Sequence, residues 1–117
     1  MSCEIVTSQR FRNQAKKLKK KYISLNNDLL LLYDELFQNP KGGTALGNGF
    51  YKVRLAIKSK NKGKSGGARV ITFLFSNQNN ILVLSSIYDK SDIENVSDKA
   101  IVDILEEIKI EHPNYFK

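Results

Sequence analysis

The fold class is decided by the stretch Phe50-Tyr51-Lys52-Val53-Arg54-Leu55-Ala56-Ile57-Lys58, in which two kinds of side chain alternate. One row is apolar and consists of Tyr51, Val53, Leu55 and Ile57. The other row carries the cations and consists of Phe50, Lys52, Arg54, Ala56 and Lys58. Because successive side chains of a β-strand point to opposite faces, the alternation predicts a strand with one packed face and one cationic face.

Two more strands are predicted downstream of this stretch. Ala68–Phe75 and Ile81–Tyr88 are rich in the β-branched and aromatic residues that strands favour. A loop of Lys, Gly and Ser residues, Ser59–Gly67, precedes the first of them, and the turn-forming cluster Asn77–Asn80 separates the two. Connections this short favour an antiparallel meander.

The upstream part of the chain begins with a short predicted strand, Glu4–Val6, followed by a helix near Gln9. Thr7 or Ser8 is predicted to cap this helix, because a hydroxyl can accept a hydrogen bond from its first free backbone amides. One stripe of the helix is apolar and the rest is basic. The stripe consists of Phe11, Ala15, Leu18 and Tyr22.

A second helix is predicted to follow after a short link. Asn26 or Asn27 is expected to cap it, and Asn39-Pro40 to end it, because the residue before a proline is pushed out of the helical region. Its apolar positions recur at helical spacing. They are Leu29, Leu32, Tyr33, Leu36 and Phe37. Two helices joined by so short a link form a helical hairpin.

The last predicted element is a C-terminal helix with two possible starts. Either the turn Ser91–Glu94 resembles a capping box, or the helix begins at Ser97. Its apolar stripe consists of Ile101, Ile104, Leu105 and Ile108. The tail after Lys109 is expected to be loose.

The order of these elements is strand, helix, helix, three strands, helix. At 117 residues the chain has the length of one ordinary domain, so we expect residues 1–117 to form a single α+β domain. The predicted architecture is an N-terminal strand and a helical hairpin packed on an antiparallel or mixed four-stranded sheet, with a C-terminal helix.

The residue types present exclude several classes of protein. One cysteine and one histidine cannot form an internal disulfide or a four-ligand metal cage. The N-terminus lacks the pattern of a secretory signal, and no apolar run is long enough to span a bilayer. The sequence therefore predicts a cytoplasmic protein with no membrane partner, metal or cofactor.

The net charge of +7 is strongly segregated along the chain. Between Arg10 and Lys21, seven of twelve residues are basic and none is acidic. The 53 residues from Leu36 to Tyr88 contain no Asp or Glu, whereas eight of the twelve acids lie between Asp89 and Glu111. A lysine run by itself is equally typical of a solvated helix face. A long acid-free stretch that includes predicted strands instead favours a surface that binds a polyanion.

Five residues are the candidates for chemistry, because the predicted strand pairing brings them towards one surface of the sheet. They are Lys52, Arg54, Arg69, Tyr88 and Lys90. Cleavage of RNA uses the 2′-hydroxyl of the substrate as the nucleophile, so the enzyme must position the backbone, move two protons and neutralise the phosphorane. Guanidinium groups form forked hydrogen bonds with phosphate oxygens and stay charged. A lysine or tyrosine with a shifted pKa can act as an acid or a base in the proton transfers.

Other sequence features give weaker indications of function. His112 lies beside Pro113 near the C-terminus, so we expect it at the surface and do not predict a mechanism with paired histidines. The segment Gly63–Gly67 lacks the glycine spacing and following helix of a nucleotide-binding phosphate loop. A second group of cations is predicted to bind RNA through its backbone phosphates. It consists of Lys16, Lys17, Lys20, Lys58, Lys60, Lys62 and Lys64.

Three segments resemble the RelE/ParE superfamily of bacterial toxins, and specifically the HigB-like branch of type II toxin-antitoxin modules. They are Tyr51–Arg54, Gly63–Ile71 and Ile87–Ser91, of which the Lys-Ser-Gly-Gly-Ala-Arg part of the second, Lys64–Arg69, is the most specific. The resemblance implies a RelE-like fold over nearly the whole chain. It also implies a ribosome-dependent endoribonuclease, or mRNA interferase, with a cluster of Lys, Arg and Tyr in place of histidine.

The implied partners are the ribosome, mRNA and a cognate HigA-like antitoxin. Two alternatives stay open at this point: a non-catalytic ParE-like inhibitor of DNA gyrase, which shares the fold, and a basic RNA-binding module. Within the cluster, Asp89 interrupts the cations and could form an ion pair with Lys90, which would remove Lys90 from the site.

Overall fold

The computed structural model describes residues 3–61, 63–75 and 80–116. The strands are β1 (Glu4–Thr7), β2 (Thr44–Gly47), β3 (Phe50–Leu55), β4 (Ala68–Phe75) and β5 (Ile81–Asp89). The helices are α1 (Gln9–Lys21), α2 (Leu25–Gln38), the one-turn α3 (Gly63–Gly66) and α4 (Asp98–Glu111). Short 3-10 turns cover Lys58–Lys60 and Pro113–Phe116. The α+β class and the order of the predicted elements are confirmed.

The strands form one mixed sheet in the order β1-β5-β4-β3-β2. β1 runs parallel to β5, and every other neighbouring pair is antiparallel. The predicted meander from β3 to β5 is therefore confirmed. No helix within the described ranges combines the length and the apolar composition that crossing a bilayer requires.

The prediction of four strands is wrong, because β2 adds a fifth at the edge of the sheet. β2 and β3 are joined by Asn48 and Gly49, whose φ angles are +56° and +89°. A two-residue hairpin turn with two positive φ angles is the connection that suits the twist of a sheet, and Asn-Gly is its preferred sequence. The Asn-Gly turn sequence thus indicated a hairpin. β2 itself was not predicted, because it is exposed throughout and has no alternating apolar row.

Two apolar cores lie on opposite faces of the sheet. On the first, which we name the hairpin face, α1 and α2 pack against a group that includes Leu55, Val70 and Leu84. On the second, which we name the α4 face, Ile104 and Ile108 of α4 pack on a group of aromatic and β-branched residues. Burial of both sheet faces explains why β4 and β5 are apolar at nearly every position.

Two of the predicted helix starts are confirmed in detail. The Ser8 hydroxyl accepts a hydrogen bond from the Phe11 amide at 3.1 Å, and Ser97 caps α4 in the same way through Ala100. The predicted start of α2 is wrong, since it begins at Leu25 rather than after an asparagine cap.

One prediction about a buried side chain and one about the C-terminal tail are also wrong. Phe37 remains 48% exposed although its spacing matched the buried stripe of α2. The C-terminal tail is not loose, because α4 continues to Glu111 and is followed by the 3-10 turn. Tyr115 and Phe116 of that turn stack edge-on against Phe75, and this aromatic contact fixes the tail on the α4 face.

Gly67 marks the closest approach between the loop before β4 and β3. A Cβ atom at this position would lie 2.0 Å from the Leu55 carbonyl oxygen. We therefore expect Gly67→Ala to lower the free energy of unfolding by about 2 kcal/mol, because the backbone must move apart. Gly42→Ala is the control, because Gly42 does not have a left-handed φ and its Cβ would come no closer than 3.3 Å to a neighbouring atom. Urea denaturation compares the two variants, and equal losses would contradict the steric explanation.

Candidate active site

A β-bulge in β5 decides which side chains share a face with the predicted catalytic residues. Ile71 of β4 pairs with Ser86, but the next residue, Thr72, pairs with Leu84, so Ser85 is an extra residue. Upstream of the bulge the even-numbered residues face the hairpin helices, and downstream of it they face α4. Without the bulge Tyr88 would lie on the same face as Leu84. A bulge that redirects a side chain in this way is common beside functional sites.

The sheet register places three predicted site residues in one row across three strands. Arg54 pairs with Arg69, and Arg69 pairs with Tyr88. Lys52 lies in the neighbouring row with Ile71 and Ser86 on the same face. Directly opposite residues of antiparallel strands have their Cβ atoms about 5 Å apart. The structure therefore brings together cationic and phenolic side chains that are far apart in sequence.

The cations at the accessible end of this cluster are not neutralised by acids. Lys52 Nζ donates to Asn95 Oδ1 at 3.3 Å, and Lys90 Nζ donates to the Glu94 carbonyl oxygen at 3.3 Å. Arg54 is exposed. Within the part of the chain that the structure describes, none of these three cations forms an ion pair. The cluster thus keeps a positive field for an anionic ligand.

Arg69 lies below this exposed layer. Only 5% of its surface is accessible, and its Nη1 donates to the carbonyl oxygens of Lys64 and Ala68 at 3.0 and 3.1 Å. These bonds tie α3 to β4. In this conformation Arg69 supports the loop beside Arg54, and its predicted contact with phosphate stays a prediction.

Tyr88 is likewise covered, with 6% of its surface accessible. Burial raises the pKa of Tyr88, whereas the positive charge of Arg69 and the nearby backbone N–H of Val96 act in the opposite direction. No hydrogen bond of ordinary geometry to the hydroxyl is present among the described residues. The phenol is therefore protonated at neutral pH and has an unused donor.

Asp89 does not pair with Lys90, because its carboxylate is engaged by Lys60 and Lys21 instead. The Asp89 carboxylate is fully buried on the hairpin side and forms an ion pair with Lys60. It also accepts hydrogen bonds from the hydroxyls of Tyr22 and Ser91. Lys90 is therefore not used by the Asp89 ion pair, whereas Lys60 is.

The remaining cations predicted to bind RNA differ in accessibility. Lys16, Lys17, Lys20, Lys58 and Lys64 are exposed. Lys62 lies outside the described residues. The Lys60 side chain is only 10% exposed and belongs to the Asp89 ion pair, so its contribution to an RNA surface is not supported. Asp89 is also 3.6 Å from Lys21 Nζ, which brings the basic end of α1 next to the basic loop.

Two polar residues next to the cluster were not predicted from the sequence. The first is Asn95, which accepts a hydrogen bond from Lys52. The second is Gln14 of α1, which contacts β5 just after the segment of β5 that pairs with β1. The Gln14 Oε1 accepts hydrogen bonds from the Ile87 amide and the Ser86 hydroxyl, both at 2.9 Å. Neither residue belongs to a motif, and only the folded arrangement shows their position. No group of three metal-ligating side chains occurs among the described residues.

Chemically, the cluster can bind a phosphodiester and exchange protons with it. Exposed guanidinium and ammonium groups bind phosphate oxygens, and two lysines lie within the same positive field. Glu35 lines a cavity together with Lys52 and Arg54, but its carboxylate forms an ion pair with Lys64 at 3.9 Å. Among the described residues, no serine or cysteine forms a hydrogen bond with a histidine. A substrate that supplies its own nucleophile, as RNA does, suits this set of groups.

Comparison with known proteins agrees at the level of structure. No protein-family model and no curated protein sequence matches the chain. A solved structure of a mutant of the E. coli toxin RelE in the free state matches with a TM-score of 0.59 and 13% sequence identity. The match covers 92% of this chain and 99% of that chain. The chain therefore has a RelE-like fold, which confirms the fold that the sequence motifs predicted.

Proposed function

We propose that the chain is the toxin of a type II toxin-antitoxin module and cleaves mRNA on the ribosome as a metal-independent endoribonuclease. The observation that carries the proposal is the row formed by Arg54, Arg69 and Tyr88, with Lys52 in the neighbouring row of the same face. Lys90 follows directly after the end of β5. The RelE-like fold supports the same conclusion. A pure RNA-binding module would not require an unneutralised cluster around a buried phenol.

In the proposed reaction, the 2′-hydroxyl of the RNA attacks the adjacent phosphorus and the 5′ oxygen leaves. Arg54 binds the non-bridging oxygens and stabilises the charge that develops on them. Lys52 and Lys90 exchange the two protons, one taken from the 2′-hydroxyl and one given to the leaving oxygen. Tyr88 contacts the adjacent base, and Arg69 holds the loop that positions Arg54. The products are a 2′,3′-cyclic phosphate and a free 5′-hydroxyl.

The partners follow from the same surface. The exposed lysines of α1 and of the loop before β4 bind ribosomal RNA, and this binding weakens as salt is added because counterions are released. The protein acts in the cytoplasm, where translating ribosomes are found. The Lys64–Arg69 motif supports the HigB-like branch and a HigA-like antitoxin that silences the toxin.

The test is a translation reaction reconstituted from purified components, with the cleavage sites in mRNA mapped by primer extension. The expected result is a set of new 5′ ends that appear only when the mRNA is being translated. Supercoiling by DNA gyrase is measured in parallel. Intact mRNA together with inhibited supercoiling would replace the proposal by the gyrase-inhibitor alternative, and intact mRNA with tight RNA binding would leave only an RNA-binding module.

A further inference from the structure

The outer edge of β3 is covered by β2 over only part of its length. The pairing between the two strands ends at Thr44 and Lys52, whereas β3 continues to Leu55. Beyond this point the neighbouring chain turns away, because the Gly42 amide donates to the Asn39 carbonyl oxygen at 3.0 Å. The last residues of β3 therefore have β4 on one side and no strand of the described chain on the other.

The backbone of Arg54 points towards this open edge. A Cβ atom on Gly43, just before β2, would lie 2.3 Å from the Lys52 carbonyl oxygen, so that carbonyl points to the β2 side. A Cβ atom on Gly67, just before β4, would lie 2.0 Å from the Leu55 carbonyl oxygen, so that carbonyl points to the β4 side. Because these directions alternate along a strand of an antiparallel pair, the N–H and C=O of Arg54 both point to the side without a neighbour.

A groove runs along the open edge, between β3 and α2. It consists of two adjoining cavities of about 420 and 290 Å³, which share Glu35, Arg54 and Lys64 in their linings. The larger cavity has a mainly aliphatic wall. That wall comes from Leu31, Leu32, Leu55, Ala56 and Ile57. Because alternate side chains of an extended segment point the same way, a segment laid against the edge would place every second side chain in an apolar cavity.

Cations outnumber acids around the groove. The cations are Lys52, Arg54, Lys58 and Lys64. Asp28 and Glu35 are the acids of the two linings. Asp28 is buried and accepts hydrogen bonds from the Lys58 amide and the Ser24 hydroxyl. Glu35 is 3.9 Å from Lys64, and both side chains are more than half exposed, so this pair is weak and a ligand carboxylate can replace Glu35.

The groove suits a peptide better than RNA. Its described lining residues include no aromatic ring, and aromatic rings are what stack the bases of a single strand. Unpaired backbone groups beside an aliphatic wall are instead the features that recognise an extended peptide. In that mode main-chain hydrogen bonds give affinity, and pockets for alternate side chains give specificity.

We propose that the open edge of β3 binds an extended acidic segment of a protein partner, which adds an antiparallel strand beside Arg54. The inference rests on the proposed function, because such a partner silences the toxin by covering Arg54. The partner residue opposite Arg54 exchanges both backbone hydrogen bonds with it. That residue also shares the face of the Arg54 side chain, so a carboxylate there pairs with the guanidinium. Its neighbours on either side enter the aliphatic cavity and are apolar.

The first experiment follows the exchange of individual amide hydrogens by NMR in the whole chain. In the free protein the Arg54 amide should exchange faster than those of Val53 and Leu55, which point to β4. The probe is the blocked peptide Glu-Val-Glu-Val-Glu-Val. At about nine times its dissociation constant about nine-tenths of the chain is bound, so exchange at Arg54 should slow about tenfold. An Arg54 amide that is protected without peptide, or unprotected with it, would overturn the proposal.

Two control peptides test the mode of binding. N-methylation of the glutamates removes the backbone donors that face β3 without changing the side chains. Replacement of every glutamate by lysine retains the alternation but reverses the charge. Each change should weaken binding about tenfold or more. Undiminished binding of the N-methylated peptide would show that no strand is added, and undiminished binding of the lysine peptide would show that the groove does not select acidic segments; either result contradicts the proposal.

Two neighbouring leucines of α2 give a matched pair of variants. Leu31 is 64% exposed and lines the larger cavity, whereas Leu30 is 60% exposed and is not among the described lining residues. Leu31→Glu should weaken peptide binding about tenfold, because it removes apolar contact and repels the glutamates. Leu30→Glu should bind the peptide as wild type does. Equal affinities of the two variants would contradict the proposed position of the segment.

These measurements are distinguishable from the test of the proposed function, because they need neither ribosomes nor cleavage. Peptide binding without mRNA cleavage would retain the docking edge and reject the nuclease, and cleavage without peptide binding would do the reverse. Protection of the Arg54 amide by an RNA hexanucleotide but not by the peptide would assign the groove to RNA and overturn the proposal. Where both proposals hold, Leu31→Glu should cleave at the wild-type rate but require about tenfold more peptide for the same inhibition.

Discussion

Arg54→Gln is expected to lower the rate of ribosome-dependent mRNA cleavage about 10²–10³-fold, which is the usual effect of removing one group that stabilises transition-state charge. Arg54 is the exposed member of the Arg54–Arg69–Tyr88 row and has no ion-pair partner among the described residues. Its role is therefore separable from folding. The free energy of unfolding should stay within about 0.5 kcal/mol of the wild-type value.

Two companion variants sharpen this prediction. Arg54→Lys retains the positive charge but loses the forked pair of donors, so its cleavage rate should lie between those of wild type and Arg54→Gln. Lys99→Gln removes an exposed cation from α4, where Lys99 lies 3.4 Å from Asp103, and should cleave at the wild-type rate. Single-turnover assays on stalled ribosomes give the rates. Wild-type cleavage by Arg54→Gln would show that the row is not the active site.

Asp89→Asn is expected to lower the free energy of unfolding by about 3–5 kcal/mol, the typical effect of removing one partner of a buried ion pair. The change leaves the ammonium of Lys60, only 10% exposed, without its counterion. The loss should be visible by urea denaturation at pH 7. Asp103→Asn is the matched control, because its ion pair with Lys99 is exposed and should contribute less than about 1 kcal/mol.

The same carboxylate predicts a dependence of stability on pH. Burial raises the pKa of Asp89, but hydrogen bonds from Lys60, Ser91 and Tyr22 outweigh burial and hold the pKa well below its usual range. A carboxyl whose pKa is lower in the folded state stabilises the fold fully above its pKa in the unfolded chain, about 4. This contribution is lost as the pH falls towards the folded-state pKa. The stability of Asp89→Asn should therefore fall less steeply than that of wild type below about pH 4, and parallel curves would contradict this account.

Much of the fold was predictable from local patterns. The alternation in Phe50–Lys58 identified β3 and both of its faces, and the spacing in α1 identified Phe11 and Ala15 as buried. Ser8 and Ser97 were recognisable as caps because the chemistry of a helix start is local. Patterns of this kind depend only on residues that are close in sequence. Each one is visible because one face of the strand or helix is buried and is therefore apolar.

The arrangement of the candidate site was less predictable, because it depends on a register that local patterns do not encode. Uninterrupted alternation would place Tyr88 on the face of Leu82 and Leu84, and only the extra residue Ser85 moves it to the face of Arg69. The hydrogen-bond and ion-pair partners of Asp89 could not be predicted from the sequence either, because Tyr22 and Lys60 are distant from Asp89 along the chain. Lys60 was accordingly assigned to an RNA surface, although its charge is used within the fold.

The parallel pairing of β1 with β5 joins Glu4 to Ile81, and this has a consequence for the order in which the protein matures. Contacts between residues so far apart in sequence form late in folding, because the entropy of closing a long loop must be overcome before the contacts add to stability. As the nascent chain leaves the ribosome, the residues of β3 emerge well before those of β5, which carries Tyr88. The cationic row can be completed only after β5 has left the ribosome, so a nascent chain that still lacks β5 also lacks the row.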